Sequence, residues 1–185
     1  MPERGSRRSE PREPPNAPAA VEIAVHFLGT RPRTRWEIAR RLRRSAADEI
    51  VIEATLEHLT KLGYVDDAAF ARWWGEQRDR HAPRGLRLIE AELRQHGVPR
   101  EVIEAYRDEH AMPDRVTEDE HLPGDDRERA EQALAKHLRG RPLPTEAKAL
   151  QRIGMFLMRR GFDPETVRAT IRAAGEARMD DALED

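Results

Sequence analysis

From Ala17 onward, apolar positions recur at intervals of three and four residues, and no stretch alternates with a period of two. That is the pattern of amphipathic helices, each burying one face, and it leaves no candidate strands. Helix ends are marked as well. Thr34 with Glu37 three residues on has the form of a capping box, and Ser45 with Asp48 is a weaker version. Gly63, Gly97 and Gly161 each follow an apolar helical run, where a left-handed cap would close a helix. Pro99 and Pro164 stand where the next helices should begin, positions that tolerate a missing N–H. The pattern predicts nine helices, at 18–29, 35–44, 48–61, 66–81, 86–96, 100–110, 128–138, 146–160 and 164–175.

These helices group in threes. An offset of 64 residues places Leu86, Ile89, Leu93, Gly97, Val98, Glu101 and Ile103 on Leu150, Ile153, Leu157, Gly161, Phe162, Glu165 and Val167. In the first group Ile38 and Leu42 match Ile89 and Leu93, with a longer loop expected after them. Repetition of this kind marks a modular array whose neighbouring units bury surface together. The expected organisation is a disordered tail at 1–16, three-helix repeats at 17–65, 66–111 and 128–175, an acidic linker at 112–127, and a disordered tail at 176–185.

Asp66 and Asp67, in "LTKLGYVDDAAFARWW" (59–74), raise the question of a catalytic or metal-binding pair. No cluster of Asp, Glu or His at helical spacing lies nearby, so the pair reads as the start of a helix, where carboxylates meet unpaired N–H groups. Tyr64 and Val65 are expected to tuck into the core. Phe70, Trp73 and Trp74 follow at i, i+3 and i+4 as a core stripe, with one tryptophan a candidate interface anchor.

Composition removes several classes of chemistry. There is no cysteine, which excludes disulfides, thiolate nucleophiles and cysteine zinc sites. The seven histidines stand singly, and no HExxH, phosphate-loop or nucleophile-elbow motif occurs. No cofactor, metal site or enzymatic activity is expected. No apolar run approaches the roughly 20 residues of a membrane span, and the N-terminus lacks the apolar core of a secretory signal. A soluble, cytoplasmic monomer is the expectation.

Charge adds the positive signal. Residues 30–44 hold seven arginines against Glu37 alone, whereas residues 113–128 hold seven acids against two arginines. In "TRWEIARRLRR" (34–44), Trp36, Ile38, Ala39 and Leu42 make the inward face and Arg40, Arg41 and Arg44 gather outward. In the eighth helix Leu150, Ile153, Phe156 and Leu157 point inward, with Lys148, Arg152 and Arg159 along the flank. Two basic stripes on equivalent middle helices suit phosphates or an acidic partner surface.

Three motifs carry a resemblance: "LTKLGYVDDAAFARWW", "RHAPRGLRLIEAELRQHGVPREVIEAY" (80–106) and "FLMRRGFDPETVRATI" (156–171). In order, they resemble the RecX family of recombination regulators, over about Val21 to Ala174. The slight departures are at His81–Gly85 and Gln95–Gly97, and the acidic insert is longer than usual. The resemblance implies an all-α fold of tandem three-helix repeats, three units forming an elongated, curved array. It also implies binding to the RecA recombinase–DNA filament and inhibition or destabilisation of it, with weak single- or double-stranded DNA binding. Candidate contact residues are then Arg40, Arg41, Arg44, Arg80, Arg84, Lys148, Arg152 and Arg159. Gly63, Tyr64, Asp66, Asp67, Phe70, Gly97 and Gly161 are assigned to structural junctions. The rival reading of the first group, as a winged-helix DNA-binding regulator, is opposed by acidic residues along helix 48–61 and by the missing wing strands. A generic helical scaffold is the other alternative.

Overall fold

A computed structural model describes residues 14–110 and 125–184, with side chains in the last helix described as far as Ala177. Nine helices and no strands occur among the described residues: α1 (Ala17–Leu28), α2 (Arg35–Arg43), α3 (Glu49–Lys61), α4 (Asp67–His81), α5 (Leu86–Gln95), α6 (Arg100–His110), α7 (Asp126–Leu138), α8 (Ala147–Arg159) and α9 (Pro164–Glu184). The chain divides after Asp66 into two compact units. Most of the expected 1–16 tail and 112–127 linker lies outside the described residues. Two ends differ from expectation by more than one residue. α9 continues to Glu184, beyond the helix end expected at 175. Asp126 and Arg127, expected in the linker, belong to α7, and Asp125 caps it by accepting the Glu128 N–H at 2.9 Å.

The first unit packs α1, α2 and α3 around Ile38, Leu42, Ile52, Leu56 and Leu59, with Ala20 and Ala24 turning the small face of α1 inward. Thr34 and Glu37 form the expected capping box at the start of α2. The Ser45–Asp48 version does not form. Ser45 bonds back to Arg41, and Asp48 stands at the head of α3 with no side-chain cap bond.

The second unit contains two cores. Phe70, Ile89, Leu93, Ile103 and Tyr106 fill one, formed by α4–α6, and Leu134, Ile153, Leu157, Phe162 and Val167 fill the other, formed by α7–α9. The apolar residues matched by the offset of 64 therefore occupy corresponding core positions.

All three middle helices end in one way. After α5, Val98 N–H donates to Leu93 O at 3.1 Å and Gly97 N–H to Arg94 O at 3.0 Å, with Gly97 at φ 73°. After α8 the same pair joins Phe162 to Leu157 and Gly161 to Met158, with Gly161 at φ 92°. This two-bond closure satisfies carbonyls left over at the helix end and needs a left-handed residue. After α2 it recurs without glycine. Ala47 N–H donates to Leu42 O and Ala46 N–H to Arg43 O, with Ala46 at φ 60°. The loop after α2 has five residues (44–48) against four in its counterparts (96–99 and 160–163), longer as expected, and the extra residue arises because α2 stops one position sooner after its last core leucine. α3 begins 51 residues before α6, matching the separation of Leu42 from Leu93.

Gly63 closes α3 in the same manner, at φ 75°. Val65 then enters the core at 3 % exposure, but Tyr64 is 63 % exposed, contrary to its expected burial. Asp66 stands immediately ahead of α4 and Asp67 lies in its first turn, at the division between the units.

The cores of the second unit are joined by polar contacts that local patterning could not reveal. Arg129 of α7 is fully buried and donates to Asp79 of α4 at 2.9 Å and to Asp126 at 3.3 Å. Asp126 also accepts the Leu86 N–H at 2.9 Å, which ties the first turn of α5 to α7. Beside this, Gly85 N–H donates to Arg160 O at 2.9 Å. A Cβ on Gly85 would lie 2.4 Å from Gly161 O, and a Cβ on Gly161 2.5 Å from the Leu88 Cβ. Gly161 thus serves both as a left-handed cap and as a point of close backbone approach.

Candidate functional site

The cations of the expected basic stripes differ in whether carboxylates already hold them. On α2, Arg40, Arg41 and Arg44 are exposed. Arg40 lies over the Trp36 ring at 5.1 Å, and Arg41 donates to Ser45. Trp36, expected on the inward face, is 40 % exposed instead. By contrast Arg35 and Arg43 reach across to Glu53 and Glu49 of α3. Those pairs consume the acids of α3 nearest to α2, leaving the outer face of α2 with an exposed aromatic and three cations.

On α8 the helical spacing brings Lys148, Arg152 and Arg159 to one groove of about 950 Å³, joined there by Arg141. No acidic residue lines it, and Lys148, Arg152 and Arg159 have no ionic partner among the described residues. The floor is apolar. Ile153 is buried, Phe156 is half-buried and Met155 is 46 % exposed. Phe156 is covered by the His137 ring, stacked at 4.1 Å, and by the Arg160 guanidinium at 4.8 Å. A second groove of about 350 Å³ shares His137, Arg141 and Phe156 and adds Lys136, Arg139 and Arg160. Arg141, Lys136 and Arg139 lie outside the expected contact set; the end of α7 and the loop after it bring them to the helix-borne stripe, which no single-helix periodicity could register.

Arg80 and Arg84 have different settings. Arg80 is exposed at the end of α4, and its carbonyl accepts from Lys136 at 2.7 Å. Arg84 is half-buried and paired with Glu92. Glu92 also accepts from Trp74 Nε1 and from Arg78 Nε, each at 2.8 Å. Burial, then the neighbouring charges of Arg78 and Arg160, lowers the Arg84 guanidinium below its usual range. Arg84 is consequently part of an internal network, with its side chain 32 % exposed. Trp74 belongs to the same network and Phe70 to the core, so the anchor-like exposed tryptophan is Trp36.

No group of three His, Asp or Glu residues among the described residues could hold a metal ion. Among them, too, no helix is long and apolar enough to cross a membrane.

Three successive groups of three helices define a helical-repeat protein. Models of the first, second and third three-helix domains of RecX match residues 20–59, 66–106 and 125–171. The chain is 34 % identical over 175 residues to the regulatory protein RecX of Thermobifida fusca, covering 89 % of this chain and 87 % of that one. It is 33 % identical over 171 residues to the RecX of Mycobacterium avium, covering 90 % and 92 %. The crystal structure of RecX from Lactobacillus salivarius shares the fold, with a TM-score of 0.68 at 17 % identity over 86 % of this chain and 96 % of that one. The protein belongs to the RecX family of regulatory proteins.

Proposed function

We infer that the protein is a non-enzymatic regulator of homologous recombination that binds the RecA–DNA filament and inhibits or destabilises it. Filament engagement lowers ATP hydrolysis, strand exchange and coprotease activity. The observation that carries this reading is family membership through all three units. Physical support comes from cations that are not spent on internal pairs: Arg40, Arg41 and Arg44 on α2, and Lys148, Arg152 and Arg159 on α8. An assembly carrying phosphates and acidic protein surface attracts both sets, and guanidinium groups suit bidentate contact with either. Direct DNA binding by the isolated protein is weak and salt-sensitive, because it rests on counterion release.

The test is steady-state ATP hydrolysis by the cognate RecA recombinase on single-stranded DNA during titration with this protein. Inhibition well below one protein per recombinase subunit is expected. Reversal of Arg40, Arg41 and Arg44 to glutamate should weaken filament binding while leaving helical content intact. No inhibition at equimolar protein would refute the filament reading; unchanged affinity in the triple variant would remove α2 from the contact surface.

A further inference from the structure

We propose that the α8 groove is a docking site for an acidic, amphipathic segment of a protein partner, and that it is not a nucleic-acid track. The groove combines a cationic rim with an apolar floor. Lys148, Arg152 and Arg159 fall at i, i+4 and i+11 along one flank, and Arg141 adds a fourth charge from the preceding loop. Between these charges lies Met155, with Met158 exposed at 41 % on the same helix.

A phosphodiester backbone would use the rim and leave the floor unused. Single-strand sites on proteins add aromatic faces on which bases stack. Phe156 of this groove is half-buried and already stacked on His137 and beneath Arg160, which leaves the exposed His137 imidazole as the aromatic face open to a base. Methionine offers instead a deformable apolar surface of the kind that accepts side chains from a docked helix. Acidic residues flanking one or two such side chains match the rim, while the apolar ones fill the space at Met155. Arginine and methionine are both enriched at protein–protein interfaces. α8 has 13 residues, so a helical segment of similar length, about 20 Å, would span it. The inference rests on the filament reading only for which protein supplies the segment.

The test uses the full chain and fluorescence anisotropy. One labelled probe is a peptide as long as α8, made of glutamate with leucines at helical spacing. The other is an oligothymidylate of equal net charge. The peptide should bind more tightly than the oligonucleotide. Lys148→Glu with Arg152→Glu should weaken the peptide at least about tenfold, the scale for losing two partly desolvated charge contacts. Met155→Ser should weaken it about fivefold, as expected for partial loss of apolar contact. Arg168→Glu with Arg172→Glu, an equal charge change on α9 residues outside the groove, should have little effect.

Tighter oligonucleotide binding that Met155→Ser leaves unchanged would overturn the proposal in favour of a nucleic-acid track. Equal loss in the α9 control would reduce it to bulk charge, and binding of neither probe would also overturn it. ATP hydrolysis is followed separately with the same variants. Peptide binding without filament inhibition would sink the filament reading alone, whereas inhibition that survives in the groove variants would sink the groove.

Discussion

Replacing Arg129 by methionine should cost about 3–5 kcal/mol, the usual penalty for breaking a buried ion pair by removing one partner. The magnitude follows from the surroundings. The Arg129 side chain has no exposure, and Asp79 opposite retains 5 %. Burial works against the Arg129 charge, yet Asp79 and Asp126 more than offset it and raise the guanidinium above its usual range. Methionine fills part of the volume but leaves Asp79 buried without its counter-charge. For a domain of this size such a loss lowers the melting temperature by roughly 6–20 °C. Replacing Asp79 by leucine should be similarly harmful, and the double variant should lose clearly less than the two single losses added together. Urea unfolding in a Trp36→Phe background is the assay, because Trp73 and Trp74 then report only the second unit. A loss below about 1 kcal/mol for Arg129→Met, or strict additivity in the double variant, would refute the buried-pair reasoning.

Four further outcomes are expected. Ala46→Gly should stabilise the first unit by about 0.5–1 kcal/mol, because a left-handed alanine is strained and glycine is not; a lower urea midpoint would contradict this. Gly85→Ala should destabilise by about 1–3 kcal/mol, since the new Cβ meets the backbone of Gly161 and Phe162, as thermal unfolding will read. Hydrogen bonding from Arg107, opposed by burial, holds the Glu90 carboxyl below its usual range. Its stabilising contribution is therefore present above the unfolded-state pKa and is lost as pH falls through the lower folded value. Glu90→Gln should flatten the acid limb of stability against pH, and an unchanged limb would refute the assignment. Asp66→Ala with Asp67→Ala should lower thermal stability more than filament inhibition; the opposite ranking would restore a functional role to the pair.

Sequence patterning captures features whose cause is local. Apolar spacing locates the nine helices found among the described residues, and glycine after an apolar run locates the left-handed closures at Gly63, Gly97 and Gly161. It misses the equivalent closure at Ala46, because nothing marks an alanine as left-handed until the repeat geometry is seen. Trp36 fits the apolar stripe of α2 by position, yet it lies on the first turn and stays exposed beneath Arg40. Tyr64 departs from expectation for a related reason. The residue after the closing glycine is buried as Val98 and Phe162 in the second unit, but here Val65 takes the core position. Contacts between elements distant in sequence leave no local trace. Arg129 lies 50 residues from Asp79, and Gly85 meets Gly161 from a different three-helix group.

The same distinction governs the site. With 33 lysines and arginines in the chain, basic residues are too common for their positions alone to identify a surface. Packing separates them by use. Arg129 is buried against carboxylates, Arg78 and Arg84 share Glu92, and Arg94 and Arg107 share Glu90. Each such cation has its field largely compensated within the fold and has little left for a partner. Arg40, Arg44, Lys148, Arg152 and Arg159 keep exposed charges without carboxylate partners among the described residues. Reversing a residue of the first group should therefore disturb folding before binding, whereas reversing one of the second should disturb binding at unchanged stability. Arg84 and Arg152 make the sharpest comparison, because both are candidate contacts on sequence and only one has its charge internally matched. If Arg84→Glu and Arg152→Glu weakened filament binding equally with no difference in unfolding midpoint, internal pairing would not be the property that selects the binding surface.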